Sequence, residues 1–312
     1  MKNIIFSGCS FTWGQGLWHY GNFDDIVKPI EYEFDRDVIK DSHIQYMEKN
    51  RFSYIVSKYF GKSDIVKRVN GGSEDESLNF VKSCFKEFKN DNNMKWDYLQ
   101  KDLNPFLYDY KDVTHIIYQT SILNRCEYTF DIDLKKYKDY RKHLVADDIS
   151  SKNKYHFDDE RFLTTEKQTL RIGVGNYIVG EDEDFKLNLF LDSLIDSGIS
   201  FDEFEKFHHI NTKNLIKKEL KFFEEKGIKV YILPWKNDIL KVTKEDDWFQ
   251  KRYIPIIHPN KYYKSIQDLM DGEDNMSIDS DSYFEETIYD MHPSLDCHKV
   301  LALSIIDKLK NE

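Results

Sequence analysis

Lys2-Asn3-Ile4-Ile5-Phe6-Ser7-Gly8-Cys9-Ser10-Phe11-Thr12-Trp13-Gly14-Gln15-Gly16-Leu17 is the stretch on which the fold turns. Ile4, Ile5 and Phe6 form a short apolar run of the kind that makes a buried strand. Ser7-Gly8 breaks that run, and small, polar and glycine residues follow at once. A buried strand ending in a small-residue turn delivers its next side chains to the carboxyl edge of a sheet, where open α/β folds bind ligands. Ser10 sits at that edge and is the first nucleophile candidate in the chain.

Composition bounds what this edge can belong to. The 312 residues suffice for one large domain or two small ones. At 40% hydrophobic and 15% aromatic, the chain can build a ring-rich core. The net charge of −11 argues against a nucleic-acid partner, whose phosphates need a basic footprint. Cys9, Cys84, Cys126 and Cys297 are scattered, with neither zinc-ligand nor disulfide-framework spacing, and fit a reducing compartment. His208-His209 and His258 lack the spacing of a metal site. The acidic run Asp271 to Asp281 reads as a solvated loop without an EF-hand pattern. No stretch approaches a membrane span, and the first apolar run is too short for a signal-peptide core. The expectation is a soluble, cytoplasmic protein with no metal, no cofactor and no membrane partner.

Outward from the opening strand, residues 18 to 50 are aromatic and acidic without a sustained period and read as loop with one short helix. Phe52, Ile55, Val56, Tyr59 and Phe60 fall at helical spacing, and Gly61 follows as a stop. Residues 64–69 read as a second strand ending in Asn70-Gly71-Gly72. Ser73 is an N-cap candidate with Glu76 at the capping-box position, and Leu78, Val81, Phe85 and Phe88 continue that helix. Residues 113–118 form the third strand, ended by Gln119-Thr120-Ser121. The alternation of strand and helix predicts a parallel sheet with helices on its faces. Residues 126 to 205 break the rhythm and read as an insertion. Gly173 and Gly175 there mark a loop or small hairpin rather than a phosphate loop, and a helix is expected around Phe185 to Ile195. A helix over 211–226 and a fourth strand over 228–234 restore the rhythm. Residues 236 to 287 are irregular and acidic and read as a second peripheral insertion. Asp290-Met291-His292-Pro293-Ser294 then leads into an apolar helix, with Pro293 suited to its first turn. The whole is one domain.

In a parallel sheet, Gly8-Cys9-Ser10, Gly71-Gly72-Ser73 and Gln119-Thr120-Ser121 share one rim, which the turn at Asp290-Met291-His292 can reach. A serine hydroxyl needs a base, and a histidine oriented by a carboxylate is the common solution. Backbone N–H groups beside the serine can hold a developing oxyanion, worth ~3–4 kcal/mol per donor. Cys9 beside Ser10 fits burial rather than a thiol nucleophile.

These blocks resemble the SGNH (GDSL-type) hydrolase superfamily. Gly8-Cys9-Ser10-Phe11-Thr12-Trp13-Gly14 is similar to the family's first block, with Cys9 where aspartate is more usual. GCSFTxG variants of this form resemble small SGNH-like proteins, many of them encoded by bacteriophages. Asn70-Gly71-Gly72-Ser73 resembles the second block, and Asp290-Met291-His292-Pro293-Ser294, with Cys297-His298, resembles the last. The third block departs: Gln119-Thr120-Ser121 stands where Gly-x-Asn is usual, so either Gln119 or Ser121 is the donor. Asp290 precedes His292 by two residues rather than three.

The resemblance implies a three-layer α/β/α, flavodoxin-like sandwich and a serine esterase acting on a small acyl ester, such as acetyl on a carbohydrate. Ser10 is then the nucleophile, His292 the base and Asp290 its orienting carboxylate. Ser10 and Gly72 N–H, with Ser121 or Gln119, form the oxyanion hole. The alternatives are an O-acyltransferase, or a catalytically weakened binding or virion-associated protein on the same fold.

Overall fold

The computed structural model describes residues 2–9, 12, 14, 16–21, 41–67, 74–90, 106–121, 123, 126–133, 167–174, 190–259, 261–278 and 292–311. The chain divides into two compact units, Met1–Leu123 with His209–Glu312, and Asn124–His208. In chain order the first unit holds β1 (Asn3–Ser7), α1 (Asp41–Asn50), α2 (Phe52–Tyr59), β2 (Ser63–Val66), α3 (Glu74–Ser83) and β3 (Val113–Gln119). The second unit holds β4 (Cys126–Asp133) and β5 (Lys167–Val174), and α4 (Phe201–Glu225) begins in it and ends in the first. The first unit then continues with β6 (Lys229–Leu233), α5 (Asn237–Thr243), α6 (Asp247–Arg252), β7 (Ile256–His258), β8 (Lys261–Tyr263), α7 (Ile266–Gly272) and α8 (Leu295–Lys310).

Four strands of the first unit make one sheet in the order β2-β1-β3-β6, and every neighbouring pair is parallel. Their sequences alternate between two buried faces. Ile4, Phe6, Ile117, Tyr231 and Leu233 pack with Phe52 and Val56 of α2 and Leu301 and Ile305 of α8. Ile5, Ile116, Tyr118, Val230 and Ile232 pack with Leu78 and Val81 of α3 and Ile216, Leu220 and Phe223 of α4. Helices therefore cover both faces, and both sides of each central strand are apolar, as parallel sheets require. On α4 the buried Thr212, Ile216, Leu220 and Phe223 recur every three or four residues and make one stripe. From β1 the chain moves to β2 on one side, then crosses to β3 and β6 on the other. The carboxyl ends of β1 and β3 thus flank the point where the winding reverses.

Several expectations are refined. β2 spans Ser63–Val66; Lys67 follows it outside the strand, and residues 68–69 of the expected strand lie outside the described residues. α3 stops at Ser83, short of Phe85 and Phe88. The returning chain takes its exit carbonyls: Phe106 N–H donates to Ser83 at 2.7 Å and Tyr108 N–H to Cys84 at 3.1 Å. α4 begins ten residues before the expected 211. Pro293 precedes α8 rather than entering it, because Ser294 is the N-cap and its Oγ accepts from Cys297 N–H. The described part of residues 236–287 is not irregular: it folds into α5, α6, the β7–β8 hairpin and α7. Ile254, Ile256, Ile266 and Leu269 from that segment are buried in the sheet's core.

In the second unit, β4 and β5 pair antiparallel from Cys126↔Val174 to Asp133↔Lys167. A helical segment covers 190–196. Phe190 meets Phe204 edge-to-face at 5.1 Å.

Candidate active site

The carboxyl ends of β1 and β3 meet in register, with Phe6 beside Ile117 and Ser7 beside Tyr118, which brings Gly8 against Gln119. A Cβ at Gly8 would lie 2.2 Å from Thr12 Oγ1 and 2.8 Å from Gln119 Cβ, so only glycine fits between them. Gln119 is 1% exposed, and both ends of its amide are engaged in this contact. Nε2 donates to Cys9 Sγ at 3.1 Å, and Oε1 accepts from Thr12 Oγ1. The Thr12 N–H closes a turn on the Cys9 carbonyl at 3.0 Å. Gln119 therefore pins the loop after β1 from both sides of Ser10, and Cys9 is buried beneath it. Ser10 itself, with Gly72 and Asp290, lies outside the described residues.

The same loop meets the C-terminal block. Gly14 has φ +82°, and a Cβ there would lie 2.9 Å from Arg51 Cβ and 3.7 Å from His298 Cε1. His298 is wholly buried on α8, stacked on the Phe52 ring at 5.6 Å. Its Nδ1 accepts the Phe52 N–H at 3.2 Å, which places the ring proton on Nε2. Among the described residues, Nε2 has no hydrogen-bond partner. Burial, with His292 and Arg51 adding positive charge nearby, pushes the His298 pKa down to about 3, so the ring is neutral.

His292 stands half-buried at the start of this block, within electrostatic reach of His298. Its carbonyl accepts the Ile278 N–H at 2.9 Å, and Ser294 N–H donates to Met276 at 2.9 Å. Ser277 and Pro293 form an antiparallel bridge between those bonds. The acidic run that reads as a solvated loop therefore contains the buried strip Met276–Ser277–Ile278, which seats the His292 turn. Met276 and Ile278 are the apolar residues of that run, and they turn inward.

At the end of β3 the two donor candidates part company. The Ser121 N–H donates to Glu74 Oε1 at 2.6 Å, while its Oγ is buried with no hydrogen-bond partner among the described residues. Gln119 faces the β1 loop and has its amide engaged; Ser121 keeps a hydroxyl unspent. Sequence reasoning missed Glu74, the first residue of α3, which is 4% exposed. It also missed Tyr118, whose hydroxyl donates to Glu74 Oε2 and lies 3.2 Å from the Glu74 carbonyl. Nothing in Ser73-Glu74-Asp75-Glu76 separates a buried carboxylate from helix-start acids that meet water. Burial, reinforced by the charge of Asp238, raises the Glu74 pKa to about 7 against the pull of Tyr118, Ser121 and Lys67.

Among the described residues, no group of three or more His, Cys, Asp or Glu side chains converges as a metal site. The chain matches no family model, no curated protein and no solved structure.

Proposed function

We propose that this chain is an SGNH-type serine esterase on a flavodoxin-like sandwich, hydrolysing a small acyl ester such as an acetyl group on a carbohydrate. The observation that carries the proposal is the meeting of the chain's two distant blocks. Gly14, in the loop that holds Ser10, lies against His298, and His292 lies within electrostatic reach of that histidine. The winding order adds support: β2-β1-β3-β6 follows the flavodoxin order, and open α/β sheets of that order bind ligands where β1 and β3 end.

In this mechanism Ser10 Oγ attacks the ester carbonyl while His292 takes its proton. Asp290 orients the imidazole and stabilises its charge. The carbonyl electron pair moves onto oxygen, where the N–H groups of Ser10 and Gly72 and the Ser121 hydroxyl receive it. His292 gives its proton to the departing alkoxide as the C–O bond breaks. Water, deprotonated by the same imidazole, then releases the acyl group. Ser121 is preferred over Gln119 because the Gln119 amide already bridges Cys9 and Thr12.

A fluorophosphonate probe is expected to label the wild-type chain at Ser10 and to leave Ser10→Ala unlabelled. Ser10→Ala should also lower turnover of short acyl esters by at least about a thousandfold. Equal turnover by both chains excludes the assignment. An unlabelled wild-type chain points instead to a binding module.

A further inference from the structure

We propose that Glu74 is a positioning residue for this site: its carboxylate clamps Ser121, at the end of β3, to the first turn of α3, two residues after Gly72 in the chain. The proposal rests on the esterase assignment and deepens it. Gly72 and Ser121 belong to separate segments, and an oxyanion hole works only if its donors hold a fixed spacing. Glu74 bridges the segments with one short bond: Ser121 N–H to Oε1 at 2.6 Å. The second carboxylate oxygen accepts from Tyr118, in the strand that carries Ser121. The clamp spends the Ser121 main-chain donor and leaves its Oγ buried and, among the described residues, unpartnered. The free hydroxyl is the group the oxyanion requires.

A structural role alone does not call for a carboxylate here. Glutamine would accept the Ser121 N–H and donate to the Tyr118 oxygen without burying a charge, which is costly. What glutamine cannot do is form the charge-assisted bond to Ser121, roughly twice as strong as a neutral one.

The arrangement also accommodates a proton. If Glu74 Oε2 is protonated it donates to the Tyr118 oxygen, and the Tyr118 hydroxyl turns to the Glu74 carbonyl 3.2 Å away. Ser121 N–H then faces a neutral acceptor and is held less firmly. The groups around the carboxylate come from four segments. Tyr118 is on β3, and Lys67 follows β2, with Nζ on Ser77 Oγ at 3.2 Å and 3.8 Å from Glu76. Asp238 is on α5, where it accepts the Leu123 N–H at 2.9 Å. Tyr253 follows α6, and Glu74 helps raise its pKa. Ionised Glu74 is the tight state of the clamp, and protonated Glu74 is the loose one.

The test uses the full chain and two readouts. The first is the Ser121 amide resonance, followed by proton–nitrogen NMR from ~pH 5 to ~pH 9. In the wild type it is expected to titrate with a midpoint near 7, the value of the Glu74 carboxyl. Tyr118→Phe removes a donor to the carboxylate and moves that midpoint up. Glu74→Gln abolishes the titration. A resonance that is flat in the wild type, or that titrates unchanged in Glu74→Gln, overturns the clamp.

The second readout is the rate of fluorophosphonate labelling at Ser10, taken as the ratio of wild type to Glu74→Gln. The proposed base His292 is common to both chains, so its contribution cancels in the ratio. The ratio is expected to rise from about one below ~pH 6 to about ten above ~pH 8, since small displacements of catalytic groups cost one to two powers of ten. A ratio of one throughout overturns the positioning role. No labelling of the wild type at any pH overturns the esterase assignment, and the catalytic meaning of the clamp with it, whatever the Ser121 resonance does.

Discussion

Two buried titratable side chains flank this site and act on stability in opposite directions. The His298 pKa is pushed from 6.5 to about 3. Below its ordinary pKa the unfolded chain takes up a proton that the folded chain refuses, so stability falls as pH drops from 6.5 towards 3. Glu74 is raised from 4.5 to about 7. The folded chain holds that proton longer, so stability falls as pH rises from 4.5 to 7. Between pH 4.5 and 6.5 the two slopes cancel, and the wild type conceals both. Single variants expose them. His298→Asn keeps an acceptor for the Phe52 N–H and cannot take up a proton. Relative to wild type it should gain about 2 kcal/mol between ~pH 6.5 and ~pH 5, at one proton per pH unit. Urea unfolding at the two pH values checks this, and an unchanged difference between the chains rules it out.

Among the elements, α8 carries the site through its N-terminus. Ser294 accepts the Cys297 N–H at 3.1 Å and donates to the Asn275 carbonyl at 2.6 Å, tying the helix start to the turn that seats His292. Asn275 adopts φ +62°, a left-handed conformation that asparagine tolerates. Ser294→Ala should cost about 2 kcal/mol, one for the cap and one for the second bond, read from thermal or urea unfolding. A loss under about half a kcal/mol would mean that neither bond holds the turn. Legibility also varies by element. α8 is plain in the sequence because its 16 residues show a helical period, and the sheet strands are plain because they are compact apolar runs bounded by turn residues. α5, α6 and α7 are not, because six or seven residues are too few to show a helical period, and β7 and β8 have only three residues each. The early start of α4 did leave a signal: Ser200 and Glu203 form a capping pair, with Glu203 N–H on Ser200 Oγ at 3.2 Å and Ser200 N–H on Glu203 Oε2 at 3.0 Å.

At the scale of the molecule, the doubly covered sheet belongs wholly to the unit Met1–Leu123 with His209–Glu312. The parallel pairing of β3 and β6 obliges the connecting helix to return from the carboxyl rim to the amino edge. The part of α4 in this unit therefore begins near the rim where β3 ends, and a short linker can join them. A chain lacking residues 124–208, with Leu123 joined to His209 through a short Gly/Ser linker, should melt in one cooperative transition with retained helical circular dichroism. A broad, non-cooperative melt would show that the sheet depends on the second unit. By itself the sequence determined the alternation of strands and helices, the parallel sheet and the blocks expected at its rim. Apolar periodicity and turn residues act locally, and a linear pattern can carry them. Only the tertiary structure showed that Cys9 and Thr12 engage the Gln119 amide while the Ser121 hydroxyl has no partner among the described residues, because those contacts form across the rim. It alone found the Glu74 carboxylate, the unpartnered His298 ring proton and the buried strip beneath His292. Burial and partner geometry are made by contacts between segments far apart in the chain, and no stretch of residues records them.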